Sequence, residues 1–160
     1  MPFYIEVKDK RILIVGGGAE GARRAAKYVK AGATVTVVAQ AFSTALQRLI
    51  DKGIVEAAKV DVSDNQLVKR FVDNSDLIIV ALDTRNHNDA LVDVARNSHK
   101  FINLNNDSAS TEVIIPVENQ VHGIRLAATS EGKSVHVTRE ALQRAVDFLQ
   151  KQDDLWCLLD

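Results

Sequence analysis

The segment Gly16-Gly17-Gly18-Ala19-Glu20-Gly21 has the G-x-G-x-x-G spacing of a phosphate-binding turn. It directly follows the apolar run Arg11–Val15 and opens a segment of helical periodicity, the context in which this spacing is informative. Gly16 permits a tight turn, Gly18 lets a phosphate approach the main chain, and Gly21 lets the helix pack close to the strand. Free N–H groups and the helix dipole then stabilise an anion without a lysine. We therefore predict a site for a dinucleotide such as NAD on Gly16, Gly17, Gly18, Ala19, Glu20 and Gly21; the alternative is a turn used only for packing.

The end of the second predicted strand lacks the acidic residue that usually accompanies this motif. An Asp or Glu about 20 residues after the glycines normally binds the ribose 2′-hydroxyl. Here the chain reads Val38-Ala39-Gln40-Ala41, with neither an acid nor an adjacent arginine. The sequence therefore does not decide between NAD and NADP, and main-chain groups of Ala39, Gln40 and Ala41 are the candidate ribose contacts.

Apolar runs alternate with helical patterns along most of the chain, which is typical of a βα-repeating fold. Strands are predicted at 11–15, 34–38, 55–60, 76–82 and 101–104, and helices at 18–31, 42–52, 66–72 and 88–97. The order predicts an α/β fold with a Rossmann-like, doubly wound and mostly parallel sheet. We assign residues 1–115 to this dinucleotide-binding domain.

The alternation loosens after residue 104. Apolar segments at 113–116 and 124–129 are joined around 119–123 by a predicted hairpin or short connection, and a helix is predicted at 139–151 with Thr138 as its cap. Residues 116–160 form a short C-terminal extension in this interpretation. Its apolar tail, Leu155–Leu159, either docks on its own domain or contacts a second subunit.

Composition excludes several functional classes. The chain of 160 residues has a formal net charge of −1 with its lysines and arginines dispersed, so no nucleic-acid or membrane-surface partner is expected. It has no apolar stretch near the ~20 residues of a membrane span and no signal-peptide pattern. A single cysteine, Cys157, favours a reducing, cytoplasmic location. No metal site is expected, because the four histidines are far apart: His87, His99, His122 and His136.

Further motifs extend over nearly the whole chain: the entry segment Pro2–Val7, the glycine turn with Arg23-Arg24, Gly32–Ala39, Asp76–Ala81, 101–116 and Ala127–Ser134. In this order they resemble the precorrin-2 dehydrogenase module of siroheme synthase. The resemblance implies NAD-dependent oxidation of precorrin-2 to sirohydrochlorin, with dimer contacts in the C-terminal part. It also implies that NAD is held by the glycine turn, by Gln40 and Ala41, and by the strand end Ala81-Leu82-Asp83. The tetrapyrrole would lie at the carboxyl ends of the strands, where open parallel sheets bind ligands.

Three features depart from that family. Asn106 stands where the resemblance places an aspartate as general base, and an amide cannot take this role at neutral pH. Asp107 is the candidate replacement; a solvated loop aspartate is the other interpretation. Glu131 replaces a glycine, so we expect it to resist a positive φ and to repel a substrate rich in carboxylates. The chain ends at Asp160, before further helices that the family uses to shape the tetrapyrrole cleft.

Two functional hypotheses follow. The first is an NAD-dependent precorrin-2 dehydrogenase, with Asp107 or water accepting the proton and without chelatase activity. The second is a catalytically degenerate dinucleotide-binding sensor or partner subunit, motivated by Asn106 and Glu131. Asp83 has two interpretations of its own, as a ribose ligand or as the cap of the next helix.

Overall fold

A parallel sheet occupies the centre of the N-terminal part of the chain. The computed structural model describes residues 4–105, 107 and 109–152, and it divides into two compact units, Met1–Val113 and Ile114–Asp160. The strands of the first unit are β1 (Arg11–Val15), β2 (Thr34–Ala39), β3 (Glu56–Lys59), β4 (Leu77–Val80) and β5 (Phe101–Leu104). Its helices are α1 (Ala19–Lys30), α2 (Thr44–Asp51), α3 (Asn65–Asp73) and α4 (Asn88–Asn97).

All strand pairs in this unit are parallel, and their spatial order is β3-β2-β1-β4-β5. The order reverses between β1 and β4, as in a doubly wound fold. The predicted Rossmann-like fold class is confirmed.

The central strands are apolar throughout because helices cover both faces of the sheet. Every residue of β4 is buried, as are the last four residues of β1. α1 packs closely on the sheet with small side chains such as Ala22 and Ala25. Ala26, which the periodicity placed on the same face, is exposed, and Tyr28 is buried instead. The core on the other side includes Leu13, Val15, Val38, Val68, Val72, Ile78, Val80, Leu91, Ala95 and Ile102.

An ion pair joins the first residue of β1 to the residue before β4. It lies at the amino-terminal ends of these strands, whereas the glycine turn lies at the carboxyl end of β1. Arg11 donates from its backbone N–H to Oδ2 of Asp76 at 2.9 Å and from Nη2 to Oδ1 at 2.9 Å. These hydrogen bonds lower the pKa of Asp76 to about 2, and the bond from the Arg11 side chain has the larger effect. Asp76 therefore begins the turn into β4 as an ionised anchor, and it lies outside the strand that the sequence predicted to start there.

Replacing Asp76 with Asn should lower stability in a pH-dependent way. Because the folded-state pKa lies below that of the unfolded chain, this stabilisation is complete above about pH 4 and is lost as the pH falls toward 2. The pair is partly exposed, so screening limits the expected loss in the free energy of unfolding to about 0.5–1 kcal/mol at pH 7. Urea denaturation of wild type, Asp76→Asn and the charge-matched Asp93→Asn tests this; a deficit specific to Asp76→Asn that persists unchanged near pH 2 would contradict it.

The segment after β5 is fastened to that strand. Asn103 donates from Nδ2 to the carbonyl of Val113 at 2.6 Å, and the backbone N–H of Leu104 donates to Oγ1 of Thr111 at 2.9 Å. The backbone N–H groups of Glu112 and Val113 both donate to the carbonyl of Ile102. These contacts hold the chain on the outer edge of β5 up to the end of the first unit.

The second unit consists of an antiparallel hairpin and one long helix. Strands β6 (Val117–Val121) and β7 (Ile124–Ala128) are joined by His122 and Gly123, and helix α5 spans Val135–Leu149. The hairpin agrees with the prediction around 119–123, although β6 begins after the apolar segment 113–116. Both turn residues have positive φ, 45° and 82°, as a two-residue hairpin turn requires.

The prediction that Thr138 caps the last helix is wrong. Ser134 is the cap, and its hydroxyl accepts a hydrogen bond from the N–H of Val137 at 3.3 Å. Thr138 lies inside the helix and donates from Oγ1 to the carbonyl of Ser134 at 2.7 Å. Within the described part of the chain, no helix has the length and apolar character needed to cross a membrane.

Candidate dinucleotide-binding site

The glycine turn lies at the carboxyl end of β1, beside the point where the strand order reverses. The N–H of Gly16 donates to the carbonyl of Val38 in β2, and the N–H of Ala81 donates to the carbonyl of Val15, at 3.0 and 2.8 Å. The turn is therefore held between the ends of β2 and β4. This crevice is where open parallel sheets bind nucleotides.

Gly16 and Gly21 are required by close backbone packing. Gly16 has a φ of 129°, and a Cβ built on it would lie 2.3 Å from the carbonyl oxygen of Ala81. A Cβ on Gly21 would lie 2.1 Å from the carbonyl oxygen of Gly16. A methyl group at Gly16 would push the turn away from the end of β4, and one at Gly21 would push α1 away from the turn. The spacing of the glycines thus reflects the short distance between the start of α1 and the ends of the strands.

Gly17 and Gly18 differ in what surrounds them. A Cβ on Gly17 would lie 1.9 Å from the carbonyl oxygen of Ala41, and Ser43 donates from its N–H to the carbonyl of Gly17 at 2.8 Å. A Cβ on Gly18 would meet no protein atom within 4 Å. The turn is therefore closed toward the segment after β2 and open above Gly18.

This open position fits a pyrophosphate group. Gly18 is the N-terminal cap residue of α1 and, having no side chain, leaves the first N–H groups of the helix without a side-chain cap. Such N–H groups and the positive end of the helix dipole bind phosphate. The residues present thus fit a dinucleotide phosphate, with Gly18 as the point of contact.

An ionic network links the first turn of α1 to the chain that follows β5. Glu20 accepts bonds from Arg23 at 2.7 and 2.6 Å and from Nε of Arg24 at 2.7 Å. Nη2 of Arg24 also donates to Oδ1 of Asn105 at 2.7 Å. Hydrogen bonding from Arg23, followed by that from Arg24, lowers the pKa of Glu20 despite partial burial. Glu20 was predicted as a cofactor residue; here its carboxylate orients the two arginines.

Replacing Arg24 with Met should destabilise the protein more than replacing Arg23 with Met. The Arg24 side chain is 11% exposed and that of Arg23 is 57% exposed. Removing Arg24 leaves Asn105 without this donor, and we expect a loss of about 1–2 kcal/mol in the free energy of unfolding. Arg23→Met, the matched control, should cost less than about 0.5 kcal/mol. Equal losses for both variants in urea denaturation would contradict this role of Arg24.

Asp107 uses its carboxylate to hold its own loop. Its Oδ1 accepts bonds from the N–H groups of Ala109 at 3.1 Å and Ser110 at 3.4 Å. Hydrogen bonding from the Ser110 side chain is the largest cause of a lowered pKa, and the positive charge of Arg85 adds to it. A carboxylate stabilised in this way is a weaker base. The other predicted catalytic position, Asn106, lies outside the described residues.

Comparison with known proteins decides the family. Residues 3–117 match a family model described as "Putative NAD(P)-binding". The chain belongs to this family. The NAD(P)-binding family assignment confirms the predicted class of cofactor.

The relatives of this NAD(P)-binding chain include siroheme synthase of Actinobacillus pleuropneumoniae serotype 3, which is 30% identical over 91% of the chain. They also include a "Putative precorrin-2 dehydrogenase" of Methanocaldococcus jannaschii, which is 24% identical over 96% of the chain. The chain spans 30% of the length of the first protein and 75% of the second. The predicted resemblance to the precorrin-2 dehydrogenase module is confirmed.

A solved structure supports the fold of this NAD(P)-binding chain. SirC, precorrin-2 dehydrogenase, superimposes with a TM-score of 0.74 over 92% of this chain and 70% of its own, at 22% sequence identity. This likeness confirms the Rossmann-like architecture.

The remaining predicted cofactor residues lie at the same edge of the sheet as the glycine turn. Ala39 is the last residue of β2, and Gln40 and Ala41 follow it; Leu82 and Asp83 follow β4. Asp83 is exposed and does not cap α4, whose cap position is His87, so the capping interpretation is wrong. The role of these residues in binding stays a prediction. Among the described residues, no group of three or more His, Cys, Asp or Glu side chains is arranged to hold a metal ion.

The expectation for Glu131 is wrong in one respect. Glu131 has a φ of 53°, so the turn keeps the left-handed backbone that its glycine counterpart would favour. The N–H of Glu131 donates to Oγ1 of Thr129 at 3.0 Å, and Ser130 bonds the backbone of Ser134. Side-chain hydrogen bonds within the turn thus offset the strain of a non-glycine residue.

The sequence analysis did not single out Arg24, in helix α1, or Asp61, beside the end of β2. Arg24 was noted only as half of a basic pair, although its contact with Asn105 spans 81 positions. Asp61 follows β3, and its carboxylate accepts hydrogen bonds from the N–H and the hydroxyl of Ser63. One sequence signal could have identified Asp61. It is the first acidic residue after the third strand, and the second strand has no acidic residue at its end.

Proposed function

We propose that this protein is a nicotinamide-dinucleotide-dependent dehydrogenase acting on a reduced tetrapyrrole of the precorrin-2 type. The observation that carries the proposal is the glycine turn, closed by backbone contacts on three sides and open above Gly18 at the switch point of the sheet. The relatives named for siroheme synthesis and precorrin-2 oxidation support the choice of substrate. When bound, NAD would supply the acceptor for a hydride.

The residues of this chain bind and orient the reactants in this proposal. Gly16–Gly21 hold the pyrophosphate, and the strand ends at 39–41 and 82–83 fix the two halves of the dinucleotide. The tetrapyrrole lies across the carboxyl ends of the strands, so that the carbon losing the hydride faces the nicotinamide. The proton that leaves with it goes to water, because the carboxylate of Asp107 is already engaged by Ala109 and Ser110.

A second candidate is a dinucleotide-binding module without turnover, serving as a sensor or partner subunit. The engagement of Asp107 in its own turn, with its lowered pKa, favours this alternative, as does Asn106 at the position of the family's aspartate. It shares the cofactor site with the first candidate and differs only in catalysis.

NADH formation on mixing the purified chain with precorrin-2 and NAD distinguishes the two candidates. The dehydrogenase proposal predicts NADH and sirohydrochlorin in equal amounts, with a rate proportional to protein concentration. Calorimetric titration with NAD runs alongside. Binding without turnover would select the second candidate, and absence of binding would reject both.

The proposal includes a homodimer in the cytoplasm. Helix α5 exposes apolar side chains, including Val135, Val137 and Phe148, at 53%, 61% and 64%. Apolar surface of this kind is typical of a subunit contact. Sedimentation of the wild type and of Val137→Lys tests it: we expect the wild type at the dimer mass and the variant shifted toward the monomer. The predicted tail contact, Leu155–Leu159, lies outside the described residues.

A further inference from the structure

Asp61 lies beside the end of β2 because of how β3 pairs with that strand. Ala39 is opposite Lys59 in the parallel ladder, and the N–H of Val60 donates to the carbonyl of Ala39 at 3.1 Å. Gln40 follows Ala39 and Asp61 follows Val60, so the two residues leave neighbouring strand ends, and Gln40 helps to lower the pKa of the Asp61 carboxyl. A carboxylate from β3 thus reaches the place where β2 itself provides none.

The Asp61 side chain is held in an ionised and exposed state. Its Oδ1 accepts bonds from the N–H of Ser63 at 2.9 Å and from Oγ of Ser63 at 2.7 Å. The Ser63 hydroxyl is the largest cause of its lowered pKa, with Gln40 and the charge of His87 adding to it. His87 is the N-terminal cap residue of α4, in the segment that follows β4.

The same segment of β2 is in contact with the glycine turn. Gly17 packs against Ala39 and Ala41, and the Ser43 hydroxyl reaches the carbonyl of Gly18 at 3.4 Å. A ligand whose pyrophosphate lies over Gly18 and which continues toward β2 therefore passes Gln40 and then meets Asp61. On that side of a doubly wound sheet, a dinucleotide places its adenosine ribose.

We propose that Asp61, oriented by Ser63, accepts the hydrogen bonds of the adenosine ribose hydroxyls and selects NAD over NADP. The proposal rests on the dinucleotide binding stated under Proposed function. A carboxylate matches the two neighbouring hydroxyls of a ribose, whereas a 2′-phosphate would bring a second anion against it. Asp61 thus supplies from the third strand the specificity group that is absent from the second.

Asp61→Asn tests this role, because asparagine keeps the oxygen that accepts from Ser63, removes the negative charge and replaces the second acceptor oxygen with an NH2 donor. We expect roughly tenfold weaker binding of NAD and of ADP-ribose, and a smaller NAD-to-NADP preference, since the repulsion of the 2′-phosphate is relieved. ADP-ribose lacks only the nicotinamide ring, so it reports on binding of the rest of the dinucleotide. Calorimetric titration of the full chain gives all three dissociation constants without requiring turnover.

Asp64→Asn is the matched control. Asp64 is three residues further on and caps α3 by accepting from the N–H groups of Gln66 and Leu67, a role that asparagine also fills. It should leave all three constants within about twofold of wild type. Unchanged constants in Asp61→Asn, or a loss for NAD but not for ADP-ribose, would overturn the inference. A wild type that binds no dinucleotide would reject the proposed function and this inference together.

Discussion

Gly18→Ala should weaken NAD binding roughly a hundredfold, about 2.8 kcal/mol, while leaving the protein fully folded. The added methyl group meets no protein atom within 4 Å, and the φ of Gly18 is −74°, an angle that alanine adopts readily. The free energy of unfolding should stay level or rise by up to about 1 kcal/mol, because alanine restricts the unfolded chain. Calorimetry with NAD and urea denaturation measure the two quantities on the same protein.

Gly17→Ala and Gly21→Ala provide the contrast. At both positions the new methyl group would lie about 2 Å from a backbone oxygen, so binding and stability should fall together, with roughly 2 kcal/mol or more lost from the free energy of unfolding. If Gly18→Ala bound NAD as tightly as the wild type, the pyrophosphate could not lie over that residue. The site on the glycine turn would then be refuted.

Asn106→Asp should raise the rate of precorrin-2 oxidation by roughly a hundredfold over the wild type. The resemblance places a carboxylate general base at this position, and positioned bases contribute about this much. Because Asp107 already accepts bonds from Ala109 and Ser110, its carboxylate does not replace the missing one. Initial rates of NADH formation at saturating NAD give the comparison.

Asp107→Asn is the matched control for this prediction, since asparagine preserves the acceptor oxygen of the loop. Its rate should remain within about twofold of the wild type. A loss of turnover in Asp107→Asn would instead identify Asp107 as the base. An unchanged rate in Asn106→Asp, with NAD binding intact, would mean that proton transfer does not limit this reaction.

The sequence predicted the elements of the first unit closely because each has a strong local signal. β1, α4 and β5 have the predicted limits, since a continuous apolar run or a clear 3.6-residue periodicity defines them. The start of α5 was misplaced because Ser134 and Thr138 are both good cap residues, and burial of Thr138 inside the helix depends on the hairpin packed against it. The positive φ of Glu131 could not be predicted either, since it accompanies a hydrogen bond that the Glu131 N–H donates to Thr129.

The residues of the candidate site also differ in whether a local sequence signal identifies them. The glycine turn is a local motif, so its residues could be found by spacing alone. Arg24 meets Asn105, and Asp61 lies beside the end of β2, only because the sheet brings distant strand ends together. Such pairs have no periodicity in the chain. Strand order must be known before they become visible.

The fastening of residues 111–113 to β5 has a consequence for solubility. It occupies the carbonyl of Ile102 and the N–H of Leu104, the ladder groups that an outermost strand would otherwise offer to another chain. The other edge strand, β3, is four residues long and carries Glu56 and Lys59 at its ends. Edge strands that are short, charged or covered discourage the addition of a strand from another molecule. The chain therefore protects itself against aggregation through its sheet, whatever assembly its second unit forms.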